Sequence, residues 1–291
     1  MKVYIDGAFH EQADAKISVF DHGVLYGDGI FEGLRAYGGR IFRLEEHLRR
    51  LQQSAEAIFL KLPMPPREIG EAVIETVRVN ALKDAYIRLV VTRGVGDLGL
   101  DMRKCRTGAG LFIIADHIEL YPEGAAEKGL TVITSSIRQR SPDQLSPAIK
   151  SLNYLANVLA RAEAARAGAQ EAILLNREGF VSECTGDNIF FVYDGAVYTP
   201  PLRAGILEGV TRGTVLELCR DELNNPVVER LFSPAELTRA QEVFLTGTGA
   251  EIVAATAIDG HKIGSGSPGP VTRKIIELFR RLAASTGTPV Y

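Results

Sequence analysis

The sequence contains no tryptophan, only three methionines and only three cysteines, Cys105, Cys184 and Cys219. An odd number of widely spaced cysteines forms neither a disulfide framework nor a CxxC zinc or redox motif, so they read as free thiols. Long apolar runs are missing as well. The longest, GAGLFIIA ending at Ala115, falls far short of the roughly 18 residues that suggest a membrane span. The opening MKVYIDGAFH has one lysine and no apolar segment behind it, so it does not read as a secretory signal and the cytoplasm is the expected location. Positive charge is not in excess: 33 Lys and Arg stand against 36 Asp and Glu, a net charge of -3. With no long basic block to neutralise phosphates, no nucleic-acid partner is expected. The five histidines, His10, His22, His47, His117 and His261, show no HExxH spacing, and no metal site is expected. A P-loop and a GxSxG nucleophile elbow are also absent.

What remains is ordinary for a globular chain: 46% hydrophobic and 24% charged residues over 291 positions, enough for two domains at about 150 residues each. Asp6-Gly7 and Gly38-Gly39 punctuate hairpins near the start. Leu44, Leu48, Leu51, Ala55 and Ile58 recur at helical spacing, as do Ile69, Val73, Thr76 and Val77 behind Pro65-Pro66. Strands are expected in AYIRLVVTRG and GLFIIADHI, before periodicity breaks at Tyr121-Pro122-Glu123-Gly124. The expected division is therefore a smaller N-terminal domain over 1–120, a linker over 121–128 and a larger domain over 129–291. The second part opens on the strand GLTVITSSI, enters a helix in NYLANVLARAEAARAG and continues in strands flanking Arg177-Glu178-Gly179 and Asp194-Gly195. EVFLTG is a further strand, helices follow Gly209 and Pro270, and Ser233-Pro234-Ala235-Glu236 is a capping box. Hairpins mixed with helices indicate an α+β fold rather than a repeating βαβ sheet.

Several segments carry chemistry. The GxGxxG match at Gly264 to Gly269 lacks the preceding long strand and the later acidic residue of a dinucleotide site, so it reads as a surface loop. Lys150 in SPAIKSLNYLANVLA is more informative. A lysine is ordinarily a solvated residue. At the positive end of a helix, however, an ammonium group is disfavoured, and burial there favours the neutral amine. Tyr154 lies four residues on, on the same face if the helix extends that far. A lysine nucleophile with a phenol beside it suits Schiff-base chemistry. Gly209 feeds a helix whose first residues, Val210 and Thr211, offer unpaired amides and a hydroxyl, and Thr246 to Gly249 is a turn able to present more. Each segment alone also reads as plain turn chemistry. Glu183 in FVSECTGDN is either an exposed turn carboxylate or, opposite a pyridine nitrogen, the group that keeps that nitrogen protonated.

YGDGIFEGLRAY, HLRRLQQSA, AYIRLVVTRGVGDLGL, KSLNYLANVLA, VSECTGDNIF, LEGVTRGTVLEL and LTGTGAEI occur in an order that, over nearly the whole chain, resembles the branched-chain amino acid aminotransferases. These are class IV enzymes of fold type IV. The resemblance implies a two-domain α+β fold with pyridoxal 5′-phosphate held at the domain interface. It implies that Lys150 forms the Schiff base with the cofactor, that Glu183 pairs with its ring nitrogen and that Tyr154 contacts its phenolic oxygen. Arg50, which by its own sequence looks like one more charge on a solvated helix face, would hold the phosphate with the Val210 and Thr211 amides and Thr248.

For the substrate, Tyr86-Ile87-Arg88 matches the Tyr-x-Arg pattern of the L-branched-chain enzymes, and a guanidinium there can bind the side-chain carboxylate of glutamate or 2-oxoglutarate. The resemblance places Tyr26, Phe31, Gly33 and Ile137 around the substrate, with Thr248, Gly249 and Tyr86 receiving its α-carboxylate. Leu98 and Leu100 would come from a neighbouring subunit, which implies a homodimer or higher homo-oligomer. Ile137 departs from relatives that carry an aromatic residue there. The implied reaction is transamination of leucine, isoleucine or valine with 2-oxoglutarate. A D-amino acid aminotransferase and an aminodeoxychorismate lyase share the fold and cofactor, and a phosphate-binding module with a merely structural lysine is the non-enzyme alternative.

Overall fold

A computed structural model describes residues 1–122, 124–223 and 225–291. The chain packs as two units, Met1–Ile118 with Ile149–Asn153 and Ala283–Tyr291, and Glu119–Ala148 with Tyr154–Leu282.

In the first unit, Lys2–Ile5 (β1) and Ala8–Glu11 (β2) turn at Asp6-Gly7, and Gly29–Tyr37 (β3) and Arg40–Ile41 (β4) turn at Gly38-Gly39. With Ala85–Thr92 (β5), Gly110–Asp116 (β6) and the C-terminal Thr288–Pro289, the described residues form a seven-stranded antiparallel sheet with β3 and β5 near its centre. Strand alternation decides what each face carries. Ile30, Leu34, Ile87, Leu89, Ile113 and Ala115 point to one side and are buried. They are covered by Leu44–Ala57 (α2) and Pro66–Val79 (α3), whose leucine and valine stripes recur at helical spacing. The short His22–Tyr26 helix (α1) precedes β3 and is capped by the Asp21 carboxylate on the Gly23 amide.

The second unit holds Leu130–Arg138 (β7), Glu171–Leu175 (β8), Val181–Cys184 (β9), Asn188–Tyr193 (β10), Ala196–Thr199 (β11), Val227–Glu229 (β12), Glu242–Gly247 (β13), Glu251–Ile258 (β14) and His261–Lys262 (β15). Among the described residues these make a nine-stranded mixed sheet, ordered β12-β11-β10-β13-β14-β7-β8-β9 with β15 on β14. Its helices are Ala125–Lys128 (α4), Pro142–Leu145 (α5), Leu155–Arg166 (α6), Val210–Asp221 (α7), Pro234–Leu237 (α8) and Pro270–Ser285 (α9). On the buried side of α6, Ala160 and Ala164 meet Ala169 and Ala172, small residues that let helix and sheet approach closely. The capping box at Ser233 and Glu236 is formed.

One expectation needs correction. Lys150 does not start a helix: α6 begins at Leu155, so Lys150 and Tyr154 share no helical face. β4 pairs with β3 only at Ala36 and Tyr37, which leaves the other end of that edge open. Lys150–Leu152 fills it. The Phe31 amide donates to the Lys150 carbonyl at 2.9 Å, the Leu152 amide donates to the Gly29 carbonyl at 2.9 Å, and Ser151 bridges Ile30. Backbone groups committed to a strand edge are not available to a helix. The same pairing explains why 149–153 packs with the first unit, and Thr288–Pro289 on β4 explains why the C-terminus does. The packed units thus differ from the expected 1–120 and 129–291. Of the expected linker at 121–128, Glu123 lies outside the described residues.

Candidate active site

The outer face of the first sheet gathers five of the expected residues. On β3, Phe31 and Gly33 face away from the core, opposite Val90 and Arg88 on β5, and Tyr86 stands one pair further along, opposite Arg35. The Arg88 guanidinium lies 4.6 Å from the centre of the Phe31 ring, and Lys150 Nζ lies 4.6 Å from the same centre. The guanidinium and the lysine nitrogen thus lie against one aromatic ring, whose quadrupole attracts positive charge. Arg88 Nη2 donates to the Tyr86 hydroxyl at 3.0 Å. Arg88 Nε is buried and makes no hydrogen bond among the described residues. The Tyr86 hydroxyl lies over Gly33, where any side chain would obstruct it.

Between Phe31 and Gly33, Glu32 points the opposite way, into the apolar core row. A buried carboxylate needs partners, and α2 supplies them. Arg50 Nε donates to Glu32 Oε1 at 2.8 Å and Nη2 to Oε2 at 2.7 Å, while His47 Nδ1 lies 2.8 Å from Oε2. Burial pushes the Glu32 carboxyl up, but the Arg50 guanidinium and the hydrogen bonds from Arg50 and His47 outweigh it and hold it at about 2. Burial pushes His47 down, against the pull of Glu32. Arg50 is therefore no solvated helix charge, since two of its nitrogens are committed to a buried ion pair. One turn on, the Ser54 hydroxyl accepts the Lys150 amide at 3.1 Å. His47, Arg50 and Ser54 form a buried polar stripe on α2, and sequence reasoning singled out only Arg50.

Tyr26, Leu98 and Leu100 form a second group. The Gly99 amide donates to the Tyr26 hydroxyl at 2.8 Å, and the buried His22 Nε2 lies 3.0 Å from the Asp97 carbonyl. The two leucines that flank Gly99 are 63% and 84% exposed. Val19, Phe20, Val24 and Met102 are exposed too.

In the second unit Glu183 is the last but one residue of β9 at 8% exposure, a buried carboxylate rather than an exposed turn residue. Its Oε2 accepts the Leu207 amide at 2.9 Å and Asn188 Nδ2 at 3.4 Å, and its Oε1 accepts Gln139 Nε2. Asn188 also donates to the Leu207 carbonyl at 3.0 Å. Its Oδ1 packs on Gly209 so closely that a Cβ there would lie 2.0 Å away. Gly209 caps α7, whose first amides, those of Val210 and Thr211, have no carbonyl partner inside the helix. Asn188 pairs in the ladder with Thr246, on the strand entering the turn that carries Thr248 and Gly249. Glu183, the α7 N-terminus and that turn are thus connected through Asn188. Thr246 Oγ1 is buried without a hydrogen-bond partner among the described residues.

The turn after Glu183 is braced by Glu171, which accepts the Tyr121 hydroxyl at 2.9 Å, Arg161 Nη1 at 2.6 Å and the Thr185 amide at 3.0 Å. The Tyr121 hydroxyl oxygen also lies 2.6 Å from Asp187, so its single proton is shared between the two carboxylates. Burial, with Asp187 and Glu171 beside it, pushes the Tyr121 phenol far up, so it stays a donor. Tyr154 caps α6 with the Arg140 guanidinium 5.7 Å from its ring centre. Ile137 leans on the alanine cluster under α6. Gln139, Asn188, Glu171 and Glu32 escaped the sequence reading, because each is a common polar residue whose importance lies in burial.

The Amino-transferase class IV family model matches residues 29–258. A putative branched-chain-amino-acid aminotransferase of Methanocaldococcus jannaschii is 49% identical over 291 residues, covering 100% of this chain and 99% of the relative. A D-alanine aminotransferase of Bacillus licheniformis is 37% identical, with 94% of each chain covered. The structure resembles the branched-chain amino acid aminotransferase of Thermobaculum terrenum in its PLP-bound holo form, with a TM-score of 0.89, 33% identity, and 100% of this chain and 98% of that one covered.

Proposed function

The chain belongs to the class IV aminotransferase family, and from that premise we propose that it transfers the amino group of L-leucine, L-isoleucine or L-valine to 2-oxoglutarate with pyridoxal 5′-phosphate as cofactor. The observation that carries this reading is the face on which Arg88, steadied by Tyr86, lies against Phe31. A cation set against an aromatic ring serves both halves of the reaction, the apolar side chain of leucine and the second carboxylate of 2-oxoglutarate.

The residues present suit the cofactor. Lys150 would supply the amine and Glu183 an oriented carboxylate, Arg50, the Val210 and Thr211 amides and Thr248 would hold the phosphate, and Tyr154 would serve the phenolic oxygen. The buried Thr246 hydroxyl and Arg88 Nε, which make no hydrogen bond among the described residues, suit anionic ligands. Pyridoxal phosphate supplies an aldehyde that takes the amino group and a ring that accepts the electron pair left at Cα. The Lys150 amine would take the proton from the substrate Cα and hold it for return. Glu183 keeps a proton on the ring nitrogen. Tyr86, Thr248 and the Gly249 amide receive the α-carboxylate, with Tyr26, Gly33 and Ile137 bounding the side-chain space.

Val19, Phe20 and Val24 around α1 and Leu98, Leu100 and Met102 on the loop that follows β5 are all exposed, and exposed apolar groups of this kind mark interaction surfaces. They support a homodimer in which these leucines line the partner's site, which light scattering of the purified protein tests. Three free thiols, two of them buried, suit the reducing cytoplasm. Among the described residues no helix is long and apolar enough to cross a membrane.

The reaction is tested by mixing cofactor-loaded protein with L-leucine or D-alanine without an acceptor and following the lysine-dependent absorbance. Conversion with L-leucine, reversed by 2-oxoglutarate, is expected. Conversion with D-alanine alone would make the D-specific relative the better assignment.

A further inference from the structure

Gln139 lies just beyond β7, 3% exposed, and every part of its peptide and side chain that bears on Glu183 is constrained. Its amide donates to the Leu175 carbonyl at 2.9 Å, which continues the pairing of β7 with β8 and fixes the backbone. Its side-chain Oε1 accepts the Arg140 amide at 2.9 Å. With the oxygen end taken, the NH2 end is the one left to face Glu183, and Nε2 donates to Glu183 Oε1. The Leu207 amide and Asn188 Nδ2 hold the other oxygen. Gln139, Asn188 and the Leu207 amide are each uncharged donors.

The distinction matters for a carboxylate that has to keep a proton on an aromatic nitrogen. A charged donor would spend part of the carboxylate's negative charge in an ion pair, whereas an amide fixes its direction and leaves the charge in place. We infer that Gln139 is a positioning residue for Glu183, an uncharged clamp that aims the carboxylate and preserves its hold on the proton of the cofactor's ring nitrogen. The inference rests on the pyridoxal-phosphate reading given above.

The test loads wild type, Gln139→Met and Gln139→Asn with pyridoxal 5′-phosphate labelled with 15N in the ring, and follows the nitrogen resonance against pH. Methionine keeps the length and bulk of glutamine without a donor. Asparagine keeps the amide but is one methylene too short to reach Glu183, so it serves if the methionine variant does not fold. In wild type the ring nitrogen is expected to stay protonated well above neutrality. In either variant the proton is expected to leave at least about one pH unit lower, and the half-reaction with L-leucine to slow about tenfold. Cofactor uptake, measured by equilibrium dialysis, is expected to persist.

A nitrogen titration like that of wild type in the folded variants would overturn the inference. A shifted titration with no wild-type reaction toward L-leucine would retain it and overturn the substrate reading. Failure of wild type to bind the labelled cofactor would overturn both.

Discussion

The Tyr86 hydroxyl oxygen lies over Gly33 so closely that a Cβ on Gly33 would sit 2.4 Å from it. The same oxygen receives Arg88 Nη2, so the absence of a side chain at 33 is what lets Tyr86 hold Arg88 in place.

Gly33→Ala should therefore displace the Tyr86 hydroxyl and release Arg88. Loss of one charge-assisted hydrogen bond corresponds to about 1.5–3 kcal/mol. The KM for 2-oxoglutarate should rise about tenfold or more, while the lysine-dependent absorbance of the loaded protein stays unchanged. Steady-state kinetics with varied acceptor checks the first point and a spectrum the second. An unchanged acceptor KM would separate Gly33 from Arg88.

Lys150→Ala should still take up cofactor through the remaining groups but show no lysine-dependent absorbance. Transamination should fall by about a thousandfold or more, since the only proton carrier assigned to Cα is gone. Single-turnover mixing with L-leucine measures this, and normal turnover would remove Lys150 from the mechanism.

Arg50→Ala leaves the Glu32 charge buried without its strongest partner. Breaking a buried ion pair from one side costs about 3–5 kcal/mol. Denaturant unfolding of the cofactor-free variant should show a loss of that size, which a solvated surface arginine would not give.

The same cluster sets the response to acid. His47 is held below its ordinary 6.5 by burial, so under about pH 6.5 the unfolded chain binds a proton that the folded one refuses, and stability falls as pH drops. Glu32, held at about 2 against an ordinary 4.5, adds a second loss as pH falls from the higher value toward the lower. Thermal melting from pH 8 to pH 4 should show Tm falling below about pH 6.5. His47→Gln should flatten the upper part of that fall, and an unaltered profile would count against the cluster as its source.

Tyr26→Phe removes the acceptor of the Gly99 amide and loosens the loop between two exposed leucines. The kcat/KM for L-leucine should drop severalfold, about the effect of one hydrogen bond, with cofactor absorbance intact. Equal loss toward every amino donor would point to general destabilisation instead.

The α+β class, the hairpins at Asp6-Gly7 and Gly38-Gly39, α2, α3 and the capping box at Ser233 were legible because each rests on local signals: turn residues, 3.6-residue periodicity and a reciprocal cap. The environment of Lys150 was not. Its strand-like pairing is decided by an open edge of β3, and nothing near residue 150 in the chain reports on that edge. Glu32 and Gln139 were equally invisible, since a glutamate in a strand and a glutamine after one read as solvated until the core row and the β7–β8 pairing are known. Family resemblance singled out Arg50, yet its bidentate hold on Glu32 became visible only in the packed sheet.

The strand-edge seat of Lys150 also bears on the order of assembly. The lysine's amide is tied to Ser54, 96 residues earlier, and its carbonyl to Phe31. Such distant contacts close large loops and form late, after local hairpins and helices. Synthesis from the N-terminus completes β1 to β6 before residue 150 exists. Lys150 thus reaches its seat only after the strands that receive it have been made, so a half-folded chain does not hold this lysine in place.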